Sequence, residues 1–201
     1  MRTLGEQPTE DIRMFGGDVV AALARCCGSD LLVAPAGPRA AAALSQATTS
    51  VLAWRPAPDG RGLLDSVLIA VDGSPEAHAA AELGSRLALP ERTAIALVAS
   101  PEHDARHQDA LQADVATIEH VTGRRPLILD EYGPPSASIL QAAGSLEATL
   151  VVLGGRPGHP VDSVSAQVAE RAGCSVLVLR PGDAGRRGTT EGGPSSARMR
   201  G

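Results

Sequence analysis

Short apolar runs alternate with amphipathic stretches from residue 66 onward. Five runs are apolar without alternation, which is typical of strands buried on both faces of a sheet. The predicted strands are Ser66–Val71, Thr93–Ala99, Pro126–Asp130, Thr149–Leu153 and Ser175–Leu179. Helical patterns separate them through short links. This alternation predicts an α/β fold with a doubly wound parallel sheet of five strands.

The predicted helices carry start and stop signals. The first begins at Ser74, because serine is a favoured N-cap, and Pro75 and Glu76 suit the first helical turn. It ends before Pro90. The next two are predicted at about 104–121 and 136–146, and the last carries a stripe of Val164, Val168 and Ala172 and stops at Gly173.

The first 56 residues repeat the last third of this pattern. Asp30–Val33 matches Thr149–Val152 at an offset of 119 residues, and Ser50–Pro56 matches Ser175–Pro181 at an offset of 125 residues. A fixed pattern that recurs in one chain indicates an internal repeat. Residues 11–56 are therefore predicted to be a helix-strand-helix-strand half-domain, the second half of a truncated copy.

These patterns divide the chain into five segments. We predict an N-terminal segment (1–10), the half-domain (11–56), a linker (57–64), the complete domain (65–181) and a tail (182–201). The tail is rich in Gly, Ser, Thr and Arg without periodicity, so we expect it to be disordered. The sequence leaves open whether the half-domain is a true truncation or reflects a misplaced start.

Composition narrows the classes of function. The chain has 201 residues and 43% hydrophobic content, enough for a buried core. It has no membrane-length apolar run and no signal-peptide pattern, so we expect a cytoplasmic location. The net charge is −5, which argues against nucleic-acid binding, and every basic residue is arginine, which argues against a lysine-dependent phosphate site.

The cysteine and histidine pattern predicts no metal site and no disulfide. Cys26 and Cys27 are adjacent and Cys174 is distant, so all three are interpreted as small buried residues. His103 and His107 have the four-residue spacing of two ligands on a helix, but no third ligand is evident. No nucleophile, base and acid form a catalytic set either, so we expect no enzymatic activity.

The carboxyl ends of two predicted strands carry candidate binding residues. Asp72 and Gly73 follow the first strand, and Gly154 follows the fourth. Asp72 and Ser74 alone are equally compatible with a turn and a helix cap. Open α/β sheets, however, bind ligands at carboxyl ends where the strand order reverses, which favours a binding site.

Residues 66–181 resemble the universal stress protein family. The resemblance is carried by Val71–Pro75, Gly133–Leu140, Leu150–Gly155, Ser163–Val168 and Cys174–Val178. It implies the strand order 3-2-1-4-5, with a ligand crevice between the first and fourth strands. In nucleotide-binding members, the positions of Asp72 and Val98 contact the nucleoside. Gly154, Gly158 and Ser163 retain parts of the phosphate loop, whose family form is Gly, two residues, Gly, nine residues and Gly-Ser or Gly-Thr.

The phosphate loop departs from the family form in three ways. Pro157 replaces the second glycine, the following insert is five residues shorter, and Asp162 precedes Ser163 where a glycine is usual. Proline lacks an N–H to donate to a phosphate, and a carboxylate ~4 Å from one repels it by about 4 kcal/mol at an effective dielectric constant of about 20. We interpret Asp162 as a helix cap. Arg156 is available to one anion, although a solvated arginine is the more common outcome.

Two functional hypotheses follow from the residues and the resemblance. The first is a regulatory or interaction module of stress response with a degenerate nucleotide site, no cofactor and an unknown protein partner. The alternative is an ATP- or AMP-binding member that signals through occupancy or hydrolyses ATP slowly.

The repeat also predicts how the chain assembles. Family members commonly pair antiparallel through their fifth strands. Ser50–Trp54 repeats the fifth strand, Ser175–Leu179. An internal pseudo-dimer would pair these two strands and extend the sheet to seven, and a homodimer through the fifth strand is the other possibility.

Overall fold

The computed structural model describes residues 31–57, 59–87, 94–99, 105–130, 133–156 and 163–180. The elements in chain order are β1 (Leu31–Pro35), α1 (Pro38–Gln46), β2 (Ser50–Trp54), β3 (Ser66–Ala70), α2 (Pro75–Leu87), β4 (Ala94–Ala99), α3 (Ala105–Thr122), β5 (Leu127–Asp130), α4 (Pro135–Ser145), β6 (Leu150–Gly154), α5 (Val164–Arg171) and β7 (Ser175–Leu179). The α/β fold predicted from residue 66 onward is confirmed. Predictions on residues 1–30 and 182–201 lie outside the described residues.

All seven strands form one sheet in the order β1-β2-β7-β6-β3-β4-β5. Read from the β5 edge, the strands from residue 66 onward follow the order 3-2-1-4-5, and two further strands extend the sheet beyond β7. Neighbouring strands are parallel except β2 and β7, which are antiparallel. The order reverses at β3 and β6, so the carboxyl ends of these neighbours form the crevice expected of a doubly wound sheet.

The two faces of the sheet carry separate cores. One core packs α1, α4 and α5 against residues such as Val51, Leu68 and Val151. The other packs α2 and α3 against residues such as Val67, Ile69 and Val152. Among the described residues, no helix combines the length and the apolar character needed to cross a membrane.

Small residues set the approach of α2 to the sheet. Ala77, Ala80 and Ala81 are buried on its inner face. A Cβ on Gly84 would lie 2.8 Å from Cδ1 of Ile69, closer than side chains pack. This stripe lets α2 lie close over β3 and β6, which brings its first turn to the crevice.

Candidate nucleotide crevice

The turn after β3 uses Asp72 and Ser74 as structural groups. The Asp72 Oδ1 accepts a hydrogen bond from the backbone N–H of Ser74 at 3.0 Å. The Ser74 Oγ accepts one from the N–H of Ala77 at 3.2 Å, so the predicted helix cap is confirmed. Gly73 has a φ of 71°, a conformation that suits glycine in this tight turn. The Asp72 side chain is exposed at the carboxyl end of β3.

Gly154 packs against the backbone of α2. A Cβ at this position would lie 2.4 Å from the backbone carbon of Glu76 and 2.7 Å from the nitrogen of Ala77. No side chain fits at these distances, so α2 crosses the end of β6 only because residue 154 is glycine. This packing contact by itself accounts for a glycine at position 154, and no ligand is needed to explain it.

An ion pair spans the crevice between the β6 loop and α2. The Arg156 Nε lies 3.2 Å from the Glu76 Oε1. Arg156 is largely exposed, as expected, but its charge is matched by a carboxylate 80 residues earlier in the chain. The Glu76 Oε2 is buried and has no hydrogen-bond partner among the described residues. Glu76 also lies in the first turn of α2, where the helix dipole favours a negative charge.

The N-terminus of α5 is capped by Ser163, so the interpretation of Asp162 as the cap was wrong. Ser163 has an extended backbone, and its Oγ accepts a hydrogen bond from the N–H of Ala166 at 3.3 Å. This backbone directs its short side chain to the third amide of the helix. The Ser163 Oγ also lies 3.2 Å from the Ser165 Oγ. Residues 157–162 of the loop lie outside the described residues, and they include Pro157, Gly158 and Asp162.

The sheet brings the predicted strand-end residues together. The register pairs Ala70 with Leu153 on β6 and with Val98 on β4. Gly154 therefore lies on one side of the β3 end that precedes Asp72, and the Val98 backbone lies on the other. The topology assembles these positions at the point of strand-order reversal.

A buried carboxylate was missed by the sequence analysis. Asp114 on α3 is almost completely buried, and its Oδ1 lies 2.6 Å from the Nδ1 of His78 on α2. Burial raises the pKa of Asp114, the hydrogen bond and charge of His78 lower it, and the charge of Asp72 raises it further. A signal was present, because Asp114 falls between Leu111 and Ile118 at helical spacing. His103 lies outside the described residues, which contain no cluster of three metal-ligating side chains.

Comparison with known families agrees with this architecture. The model of the Universal stress protein family matches residues 94–180, which run from β4 through β7. The family resemblance is confirmed. The matched part excludes β3 and Asp72, and it includes Val98 on β4 and Gly154 on β6.

Solved structures show the same fold at low identity. A universal stress protein from Archaeoglobus fulgidus DSM 4304 aligns with a TM-score of 0.61 at 21% identity, over 77% of this chain and 62% of that chain. The chain thus spans less than two thirds of that relative. A universal stress protein solved in complex with cAMP aligns with a TM-score of 0.52 at 19% identity, over 58% of this chain and 96% of that one. No curated protein is similar enough to the chain to count as a match.

Proposed function

We propose that the chain is a cytoplasmic regulatory or interaction module of universal stress type, with no chemistry of its own and a crevice unsuited to polyphosphates. The observation that carries the proposal is the ion pair between Arg156 and Glu76. It occupies the side of the crevice where the resemblance places the phosphates. A nucleotide phosphate near Arg156 would meet a guanidinium whose charge is already matched by Glu76, and it would place a second negative charge close to that carboxylate, which costs free energy.

The backbone donors of α2 offer the anion little compensation. Pro75 has no N–H, and the N–H of Ala77 is taken by the Ser74 Oγ. The N–H of His78 is taken by the Ser74 carbonyl oxygen at 3.0 Å. The Asp72 carboxylate at the same strand end adds a repulsive charge. The first turn of α2 therefore uses the N–H groups of Ala77 and His78 for its own cap, which supports a crevice unsuited to polyphosphates.

Nucleotide titration tests this proposal. Saturation of a tight nucleotide site would stabilise the protein by a few kcal/mol. Because we propose that the crevice binds polyphosphates poorly, we expect millimolar MgATP to raise the melting temperature by less than about 1 °C. Glu76→Gln removes the carboxylate and releases Arg156. MgATP should therefore raise the melting temperature of this variant by more than it raises that of the wild type. Glu82→Gln is the matched control, because Glu82 pairs with Arg86 on the exposed side of the same helix. A wild-type shift of 5 °C or more would refute the proposal.

The alternative is an AMP- or ATP-binding protein that signals through occupancy or hydrolyses ATP slowly. The observation in its favour is the exposed Asp72 carboxylate at the end of β3, the position that contacts the nucleoside in binding members. A structural neighbour was solved with cAMP, which adds a ligand class to test. Calorimetric titration with ATP, AMP, cAMP and adenosine separates the two functions. Binding of any of these that Asp72→Asn abolishes would favour the alternative.

We also propose that residues 31–56 are half of a second universal stress copy, joined to the complete copy as an internal pseudo-dimer. The register of β1 with β2 repeats that of β6 with β7, since Leu31 pairs with Ser50 as Leu150 pairs with Ser175. The antiparallel register of β2 and β7 is reciprocal, because Val51 pairs with Val178 and Ala53 with Val176.

Hydrogen bonds at the two ends of the β2–β7 pair are reciprocal too. The N–H of Arg180 donates to the Ser50 Oγ at 3.0 Å, and the N–H of Arg55 donates to the Ser175 Oγ at 3.0 Å. Such exchange is the signature of a two-fold interface. Expression of residues 60–182 tests the arrangement, because it exposes the β7 edge. We expect that fragment to dimerise or aggregate, whereas a monomer that melts at the full-length temperature would contradict the docking.

A further inference from the structure

An apolar surface on β1 and β2 lies on the face of the sheet that carries α2. It consists of Leu31, Val33, Leu52 and Trp54, and we call it the β1–β2 face. Val33 is 54% exposed, Trp54 50% and Leu31 45%. The register places Val33 beside Leu52, so the four side chains form one surface across two strands. Apolar surfaces of this kind on soluble proteins usually bind a partner.

The corresponding face of the complete copy is covered. The offsets of the repeat match Leu31 with Leu150 and Val33 with Val152, and these two counterparts are 1% and 0% exposed. They are buried because α2 lies over them, with the small stripe of Ala77, Ala80 and Ala81 in the same core. Equivalent side chains thus differ only in whether a helix covers them.

The free edge of β1 shows the same difference. In the described sheet β1 is an edge strand that pairs only with β2. Its counterpart β6 pairs on both sides, with β7 and, in parallel, with β3. In the complete copy, one continuous strand-helix unit, β3 and α2, supplies both the edge pairing and the cover. An unpaired strand edge beside an apolar face is therefore the surface that one such unit would complete.

We propose that the β1–β2 face and the β1 edge bind a strand-helix unit of another polypeptide, with a parallel strand and an amphipathic helix whose inner face is small residues. The proposal rests on the half copy proposed above, and it names the class of partner for the interaction module. A second copy of this chain is a poorer occupant, because its own β3 and α2 are already packed. Residues 11–27 are also a poorer occupant, because the offset of 119 residues aligns their sequence with residues 130–146, which contain α4, and α4 packs on the opposite face of the sheet.

Trp54 makes the proposal directly testable, because it is the only tryptophan of the chain. The probe is a synthetic peptide of residues 64–90, the β3–α2 unit of this chain, titrated into the full chain. We expect the free chain to emit as a solvent-exposed indole and to be quenched by acrylamide. Saturation with one equivalent of peptide should shift the emission to the blue and reduce the quenching.

Matched variants separate specific docking from general stickiness. Val33→Glu should weaken peptide binding at least tenfold, a change of about 1.4 kcal/mol. Leu127→Glu should leave it within about twofold, because Leu127 is equally exposed, at 53%, on β5 at the opposite edge of the sheet. A peptide carrying Ala80→Glu and Ala81→Glu should not bind.

Three results would overturn the proposal. The first is a blue, unquenched Trp54 in the free chain that moves to the red in a chain lacking residues 1–28, since that segment would then be the occupant. The second is a wild-type dimer in light scattering that Val33→Glu dissociates, which would make a second copy the occupant. The third is an exposed Trp54 that the peptide leaves unchanged. None of these changes the nucleotide titration, so a failure here is distinguishable from failure of the proposed crevice function.

Discussion

The buried guanidinium of Arg180 offers a test of how β7 holds the half-domain. Its two terminal nitrogens donate to the backbone carbonyl oxygens of Leu44 and Ala47, at the C-terminal end of α1. These carbonyls belong to the last turn of a helix, where no intrahelical N–H reaches them. Burial lowers the pKa of Arg180, so the charge is desolvated at a cost that the two hydrogen bonds offset.

Arg180→Met keeps the aliphatic volume and removes both hydrogen bonds. Hydrogen bonds to a charged group contribute about 1.5–3 kcal/mol each, so the loss is roughly 3–6 kcal/mol. The variant also loses the desolvation cost of the buried guanidinium, whose Nε has no hydrogen-bond partner among the described residues, and this offsets part of the lost stability. We expect a net loss of about 2–4 kcal/mol and a melting temperature lower by roughly 5–15 °C.

Thermal melting followed by circular dichroism and by Trp54 fluorescence measures this loss. Arg171→Met is the control, because Arg171 is exposed on α5 and its substitution should change stability by less than about 0.5 kcal/mol. Equal melting temperatures for the two variants would refute the reasoning that Arg180 satisfies the end of α1. If the Trp54 fluorescence changes at a lower temperature than the circular dichroism signal, the half-domain detaches before the rest of the fold melts.

Three further predictions concern buried positions. Gly154→Ala should cost about 1–3 kcal/mol in melting curves because its Cβ would meet the α2 backbone, whereas Gly144→Ala, with nothing within 4 Å, should be neutral or stabilising. Because the pKa of Asp114 is raised from 3.8, the stability of the wild type should fall as pH rises from about 3.8 through the raised pKa. Asp114→Asn cannot ionise, so the difference between its melting temperature and that of the wild type should move in favour of the variant across that window. Burial raises the pKa of Cys174 to about 11, so peptide mapping should find it labelled by a thiol reagent at neutral pH only in denaturant.

Local patterns were sufficient to predict most elements of the fold. The apolar runs and the Ser74 cap predicted strands and helices close to those observed, because burial on both faces and helix capping act over a few residues. The resemblance implied antiparallel pairing through fifth strands, and the recurrence of Ser50–Pro56 as Ser175–Pro181 identified β2 as the partner of β7, which is the pairing observed.

The sequence by itself thus determined the order of elements and the candidate strand ends, and it predicted the repeat. Only the tertiary structure decided what those strand ends do. Three contacts join residues that are 36 to 80 positions apart in the chain. They are the ion pair of Arg156 with Glu76, the contact of buried Asp114 with His78, and the packing of Gly154 against the backbone of α2. Such contacts depend on how α2 crosses the sheet and packs on its neighbours. The exposure of Val33 against the burial of Val152 was settled in the same way, because equivalent residues have equal patterns and differ only in what the fold places over them.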